Sequence, residues 1–262
     1  MKLLVLVPTR LKRNQAGRLF LAQALQSIAG QEFPPHLDVR LEISIGVDPG
    51  AVLPDDLTMP PNATVSEAAS ASQTFALNAA AARFDHDFLA ILEDDDQWLP
   101  RFLHISLAAL QQKELDFVSS TQLQVDESGK IVSIFDFPTP SGWVMRRTVW
   151  ETVGPFDTSF QYHLDNEWLG RLALRGFRRA HLLEATAPVD VAWMSVRPWL
   201  QKYMKYAGNH ATLLRHGDPE PLVRRTVHAG SGMASVRADA TAKATSQREY
   251  ARLVERFGRI PW

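Results

Sequence analysis

Two uninterrupted apolar runs constrain this chain more than any other feature. Leu3-Leu4-Val5-Leu6-Val7 stops at Pro8, and Phe88-Leu89-Ala90-Ile91-Leu92 runs straight into Glu93-Asp94-Asp95-Asp96. A strand with no polar alternation has no face to offer to water, so both its faces must be covered. Between the runs, Leu21, Leu25 and Ile28 recur at helical spacing ahead of Gly30, a helix stop. Leu41, Ile43, Ile45 and Val47 alternate with Glu42, Ser44 and Gly46, the period of a strand, and lead into the turn Asp48-Pro49-Gly50. The Ala-rich stretch from Ser72 to Arg83 is helical by propensity. This strand–helix–strand–helix–strand order predicts an α/β fold, a mainly parallel sheet with helices on both faces.

Beyond Pro100 the pattern predicts a helix over 102–110, a short strand at Phe117-Val118, and a hairpin from Gln122 to Pro140 around Glu127-Ser128-Gly129. A helix from Asp165 to Leu174 is closed by Gly176, with Trp168, Leu169 and Leu172 on its buried side. A closing helix from Gln247 to Phe257 is amphipathic through Tyr250, Leu253, Val254 and Phe257, and ends at Gly258. Small residues near Gly208 and from Ala229 to Gly232 read as mobile loops, the second as a lid that orders when ligand binds. The simplest organisation is a core over 1–196 and a C-terminal helical extension over 197–262 that packs on the core or covers it.

Charge distinguishes these parts. Residues 197–262 carry 12 Lys+Arg and 5 Asp+Glu, whereas residues 1–196 carry 16 and 24. A basic extension beside an acidic core suits a phosphorylated ligand, contact with anionic lipid, or simple charge balance, and the sequence does not choose among them. Absence of cysteine removes disulfide frameworks, thiol nucleophiles and thiolate metal sites. No G-x-x-x-x-G-K-[ST], G-x-G-x-x-G or G-x-S-x-G sequence occurs, and no basic patch interleaved with aromatics. P-loop, dinucleotide-binding, serine-hydrolase and nucleic-acid-binding readings therefore fall. The first apolar run is too short for a secretion signal or a membrane span, so the expectation is a cytoplasmic protein, with peripheral contact at the inner membrane face left open.

The chemistry concentrates in the acidic quartet. Ligands of open parallel sheets bind at the carboxyl ends of the strands. Four adjacent carboxylates there repel one another unless a cation screens them, and Mg2+ or Mn2+ takes one or two carboxylates together with phosphate oxygens. Asp48 falls on the same sheet edge, as a contact for a base or ribose or as the cap of its own turn. Thr9 and Arg10 follow the first strand, Arg10 as a phosphate partner. Asp165 reads either as a helix N-cap or as a general base, assisted by His163 or Glu167.

Taken in order, these segments resemble a family 2 glycosyltransferase with the Rossmann-like GT-A fold. Val7-Pro8-Thr9 is similar to the family's V-P-T opening, Ser27 to Gln31 to its S-v-x-x-Q helix end, and Val47-Asp48-Pro49-Gly50 stands where it has V-D-D-G-S. Asn78 matches the asparagine of N-x-G. Leu92 to Pro100 resembles L-D-x-D-D-x-W-x-P, Val153 to Asp157 resembles v-G-x-F-D, and Asp165 to Gly176 resembles E-D-x-D-L-W-L-R-L-A-x-x-G. The resemblance implies that Pro8, Thr9, Arg10, Asp48, Asn78, Glu93 and Asp94 bind a nucleotide-sugar, with Asp48 at the base and Asp94 at the ribose. It implies that Asp95 holds a divalent cation, Mn2+ or Mg2+, with His210 as the additional C-terminal ligand. Asp165 takes the catalytic base of inverting members. The acceptor would be a carbohydrate or lipid-linked glycan. Glu93, Pro49, Leu77 and Leu164 depart from the family's aspartate, second acid, arginine and glutamate. Two other readings stand beside a UDP-sugar transferase. One is a sugar-phosphate nucleotidyltransferase, which keeps T-R-L but has glycines before it. The other is a non-catalytic domain that binds carbohydrate or nucleotide.

Overall fold

A computed structural model describes residues 1–82, 85–184 and 211–258. The boundary expected near 196, the loop near Gly208 and His210 itself lie outside the described residues. The central sheet contains β1 (Lys2–Thr9), β2 (Arg40–Val47), β3 (Ala63–Glu67), β4 (Phe88–Ile91), β6 (Phe117–Ser120), β9 (Val144–Arg146), β10 (Arg179–Leu183) and β11 (Ala211–Arg215), in the spatial order β11-β10-β6-β9-β4-β1-β2-β3. All neighbours pair in parallel except β9, which is antiparallel to β4 and β6. A second sheet, ordered β5-β12-β7-β8, combines β5 (Asp96–Trp98), β7 (Gln122–Asp126), β8 (Ile131–Phe135) and β12 (Val223–Val227). The helices are α1 (Phe20–Ala29), α2 (Gln73–Ala81), α3 (Phe102–Gln112), α4 (Arg147–Val153), α5 (Leu164–Leu174), α6 (Gly232–Ala238) and α7 (Ala240–Phe257). None is long and apolar enough to cross a membrane among the described residues.

The apolar run of β1 divides between two cores. Leu3, Val5 and Val7 pack on one face of the sheet with α1 and α3, while Leu4 and Leu6 pack on the other with α2, α5, Trp143 and Trp168. Pro8 does not end β1, which continues to Thr9 paired with Val47. Leu92 N–H donates to the Leu6 carbonyl, so even-numbered residues of β1 face β4, and that pairing ends at Leu6. Pro8 therefore lacks its N–H on the side where no ladder remains to receive it.

Ser44 and Gly46 alternate with the apolar residues of β2, and Ile43 to Val47 are nonetheless all buried. α2 covers the other face, and it comes so close that a Cβ on Gly46 would lie 2.0 Å from the Ala76 carbonyl oxygen. Residues 211–258 are woven into the fold rather than appended, since β11 extends the central sheet and β12 sits between β5 and β7. The closing helix begins at Ala240, seven residues before the sequence expectation, and its buried side is Ala242, Ser246, Glu249 and Leu253. Tyr250 and Val254, expected inside, are 51% and 40% exposed.

The Gly46 contact sets the seat of α2. Gly46→Ala should cost at least about 2 kcal/mol, lowering Tm by about 4–8 °C for a chain of this size. Gly217→Ala, where an added Cβ meets nothing within 4 Å, should leave Tm unchanged. Equal thermal unfolding of the two variants would show that α2 does not approach β2 this closely.

Candidate active site

The parallel strands β4, β1 and β2 are neighbours, so the segments that follow them converge on one edge of the sheet. After β4 the chain turns through Glu93, Asp94 and Asp95, closed by Asp96 N–H donating to the Glu93 carbonyl (3.0 Å). The turn sends the four carboxylates in different directions. Asp96 is buried, and its oxygens accept from Ser141 Oγ (2.6 Å) and from Thr226 N–H (3.0 Å). This residue is structural, joining the acidic turn to β12. Glu93 accepts from the Gln73 side-chain amide at the start of α2, and its own N–H donates to Ser141 Oγ (3.1 Å). Trp98 indole N–H in turn donates to the Ser141 carbonyl (2.6 Å).

Asp94 turns towards β1. The Thr9 hydroxyl donates to Asp94 Oδ2 (2.5 Å) and accepts from Leu11 N–H (2.9 Å). Leu11 holds φ +54°, a left-handed backbone that costs a bulky residue about 1–3 kcal/mol. Arg10 Nε lies 3.6 Å from Asp48 Oδ2. Asp48 Oδ1 is buried and has no hydrogen-bond partner among the described residues. Since an unmet buried acceptor costs about 1–3 kcal/mol, this oxygen is poised for an N–H or O–H from a ligand. Asn78 has a different task. Its amide donates to the Phe156 carbonyl and accepts from Phe156 N–H, both at 2.9 Å, so it ties α2 to the 153–157 loop.

Asp95 points to a residue that the sequence reading passed over. His228 Nε2 lies 2.8 Å from Asp95 Oδ2, with the imidazole almost fully buried against the Phe20 ring at 4.8 Å. β12 delivers it, because Thr226, fixed to Asp96, stands two residues ahead. Lys12 Nζ donates to the Gly230 carbonyl (2.9 Å) just beyond. Two adjacent arginines, Arg224 and Arg225, break any alternation after Val223, so the sequence carried no clear strand signal for this histidine. The stretch 229–232 is a turn that runs into α6, where Ser231 Oγ caps Ala234 N–H (3.3 Å). Among the described residues no group of three or more His, Asp or Glu is arranged to hold a metal. The available donor set is the Asp95–His228 pair.

Asp165 stands in the first turn of α5 and is not its N-cap, a position His163 takes. Asp165 Oδ1 accepts from the N–H of Asn166 (2.7 Å) and from its side-chain amide (3.2 Å). Glu167 is not a free base. It is fully buried, bonded through both oxygens to Arg171 (2.8 and 2.9 Å) and also to Arg256 (2.8 Å). His163 Nε2 is engaged by Ser246 Oγ (3.0 Å).

Burial and mutual repulsion dominate the electrostatics. Desolvation, then the charge of Asp95, pushes Glu93 up to about 7, with Arg225 and Gln73 opposing. The same two causes raise Asp94 to about 7, against the Thr9 hydroxyl. Asp96 is raised well above the carboxylate range by burial and by Asp95. Burial also raises Asp165, opposed first by the Asn166 N–H and then by His163 and Arg225. Arg225 is the cation common to Glu93, Asp96 and Asp165, and its guanidinium rests 4.7 Å from the Phe135 ring centre.

Structures of S. aureus TarS are similar to this chain over most of its length. The 1–349 portion matches with a TM-score of 0.51 at 15% identity, over 86% of this chain and 60% of that one. The same portion in complex with UDP-GlcNAc gives 0.53 at 15% identity, over 90% and 61%. In complex with UDP it gives 0.51 at 15%, over 94% and 69%. The chain thus spans less than two thirds of the first two. No family model and no curated protein matches the sequence. At 15% identity the likeness is one of fold: this chain shares the α/β architecture of TarS, a central sheet flanked by helices.

Proposed function

We propose that the chain is a nucleotide-sugar-dependent glycosyltransferase that moves a sugar from a UDP-sugar to an acceptor hydroxyl with inversion. The carrying observation is the Asp95–His228 pair, set at the edge where Thr9, Arg10, Asp48 and Asp94 converge. The TarS structures that share the fold include complexes with UDP-GlcNAc and UDP. The donor set fits Mn2+ better than Mg2+, which takes oxygen ligands and would rest on Asp95 alone. One carboxylate and one imidazole leave positions for diphosphate oxygens and water, as these cations require. When bound, the cation neutralises charge developing on the departing diphosphate. Asp95 and His228 would hold it, and the unmet oxygen of Asp48 would accept from the base.

Asp165 serves as the base. Burial raises its proton affinity, which improves a general base working near neutral pH. Its carboxylate takes the proton of the acceptor hydroxyl as the new bond to the anomeric carbon forms and the bond to the diphosphate breaks on the opposite face. UDP leaves with the bonding electrons. The acceptor is a carbohydrate hydroxyl, free or lipid-linked.

Two outcomes follow. Calorimetry should show UDP binding that depends on Mn2+, weakened at least about tenfold by Asp95→Ala and by His228→Ala, about 1.4 kcal/mol each. Equal binding in chelator, in both variants, would overturn the metal role. Asp165→Asn should keep Tm and UDP affinity while kcat falls at least about a hundredfold. Turnover within a few fold of wild type would remove Asp165 as base. Glu167→Gln, by contrast, should lower Tm, because it leaves Arg171 and Arg256 short of their buried partner.

A further inference from the structure

The geometry points to Glu249, on α7, as a positioning residue for the reaction, an inference that rests on the transferase reading above. Its carboxylate is buried and accepts three consecutive backbone N–H groups. Gln161 donates to Oε1 (2.8 Å), and Tyr162 (2.8 Å) and His163 (3.0 Å) donate to Oε2. His163 caps α5 without a side-chain bond to the helix, and Asp165 follows two residues later. Glu249 therefore gathers three backbone N–H groups of the turn that presents Asp165, and its negative charge lies at the entry of α5, where the helix dipole favours it.

Neighbouring residues of α7 grip the same segment. Ser246 Oγ meets His163 Nε2, Arg252 donates to Ser159 Oγ (2.8 Å) with its guanidinium 4.2 Å from the Phe160 ring centre, and Arg256 donates to Glu167 (2.8 Å). From the other side, the Thr74 hydroxyl of α2 donates to the Phe160 carbonyl (3.1 Å). The turn before Asp165 is thus clamped between two helices, and Glu249 accepts from all three of its amides. A base displaced by about 1 Å can lose about 10²-fold in rate, so a clamp of this kind acts on kcat.

The test measures transfer and amide exchange in wild type, Glu249→Gln, Asp165→Asn and the double variant, with Glu255→Gln as a control for charge on the same helix. Glutamine turns an N–H donor towards amides that need an acceptor. Glu249→Gln should lower kcat by about 10–100-fold, leave donor KM and UDP affinity within twofold, and speed exchange at 161–167 alone. On the Asp165→Asn background it should have no further effect, since the residue acts through Asp165. Glu255→Gln should match wild type in every readout. Equal losses on both backgrounds, or exchange at 161–167 that matches wild type, would overturn the positioning role while leaving the transferase reading intact. Absence of transfer by wild type from every nucleotide-sugar would overturn both.

Discussion

Four carboxylates in consecutive positions, at the end of a strand buried on both faces, repel one another across little water. Each must find a donor, a proton or a cation, and the neighbouring elements are arranged around that need. Asp96 is satisfied by Ser141 and by the backbone of β12, Glu93 by Gln73 of α2, and Asp94 by Thr9 at the end of β1. Asp95 is left to His228. The residues that compensate the acidic turn thereby tie α2 and β12 to the end of β4, and join it to β1 beyond their shared ladder. Local electrostatics and tertiary geometry are one problem here.

The same economy links the two ends of the site. β12 places His228 beside Asp95, and the chain then proceeds through α6 into α7, whose buried side grips the turn before Asp165. One continuous stretch of chain therefore reaches both Asp95, through His228, and the turn before Asp165, through Glu249. Part of the basic surplus in residues 211–258 is spent internally, as Arg252 and Arg256 bind Ser159, Asp157 and Glu167. These charges answer acidic or polar groups of the core.

The fold was legible because its strongest signals are local. The runs at 3–7 and 88–92, the alternation at 41–47 and the stop at Gly30 each became the expected element. Misreadings arose where distant partners decide. Pro8 continues a strand because pairing on its side has already ended. Glu249 and Ser246 occupy the buried side of α7 because backbone and imidazole groups await them there, which an apolar periodicity cannot register. At the site, Asp95, Asp94, Thr9 and Asp48 were marked by their places at strand ends. His228 was missed because β12 is placed by a hydrogen bond between Thr226 and Asp96, 130 residues apart in the chain. Asn78 matched a motif, and in the structure its amide holds Phe156.

The central claim is that the acidic turn is completed by a divalent cation held between Asp95 and His228. Anomalous diffraction from crystals grown with Mn2+ and UDP tests it most directly. The account predicts one strong manganese peak within coordination distance of Asp95 Oδ2 and His228 Nε2, in contact with the diphosphate. UDP bound at this sheet edge with no manganese peak beside these two residues would contradict it.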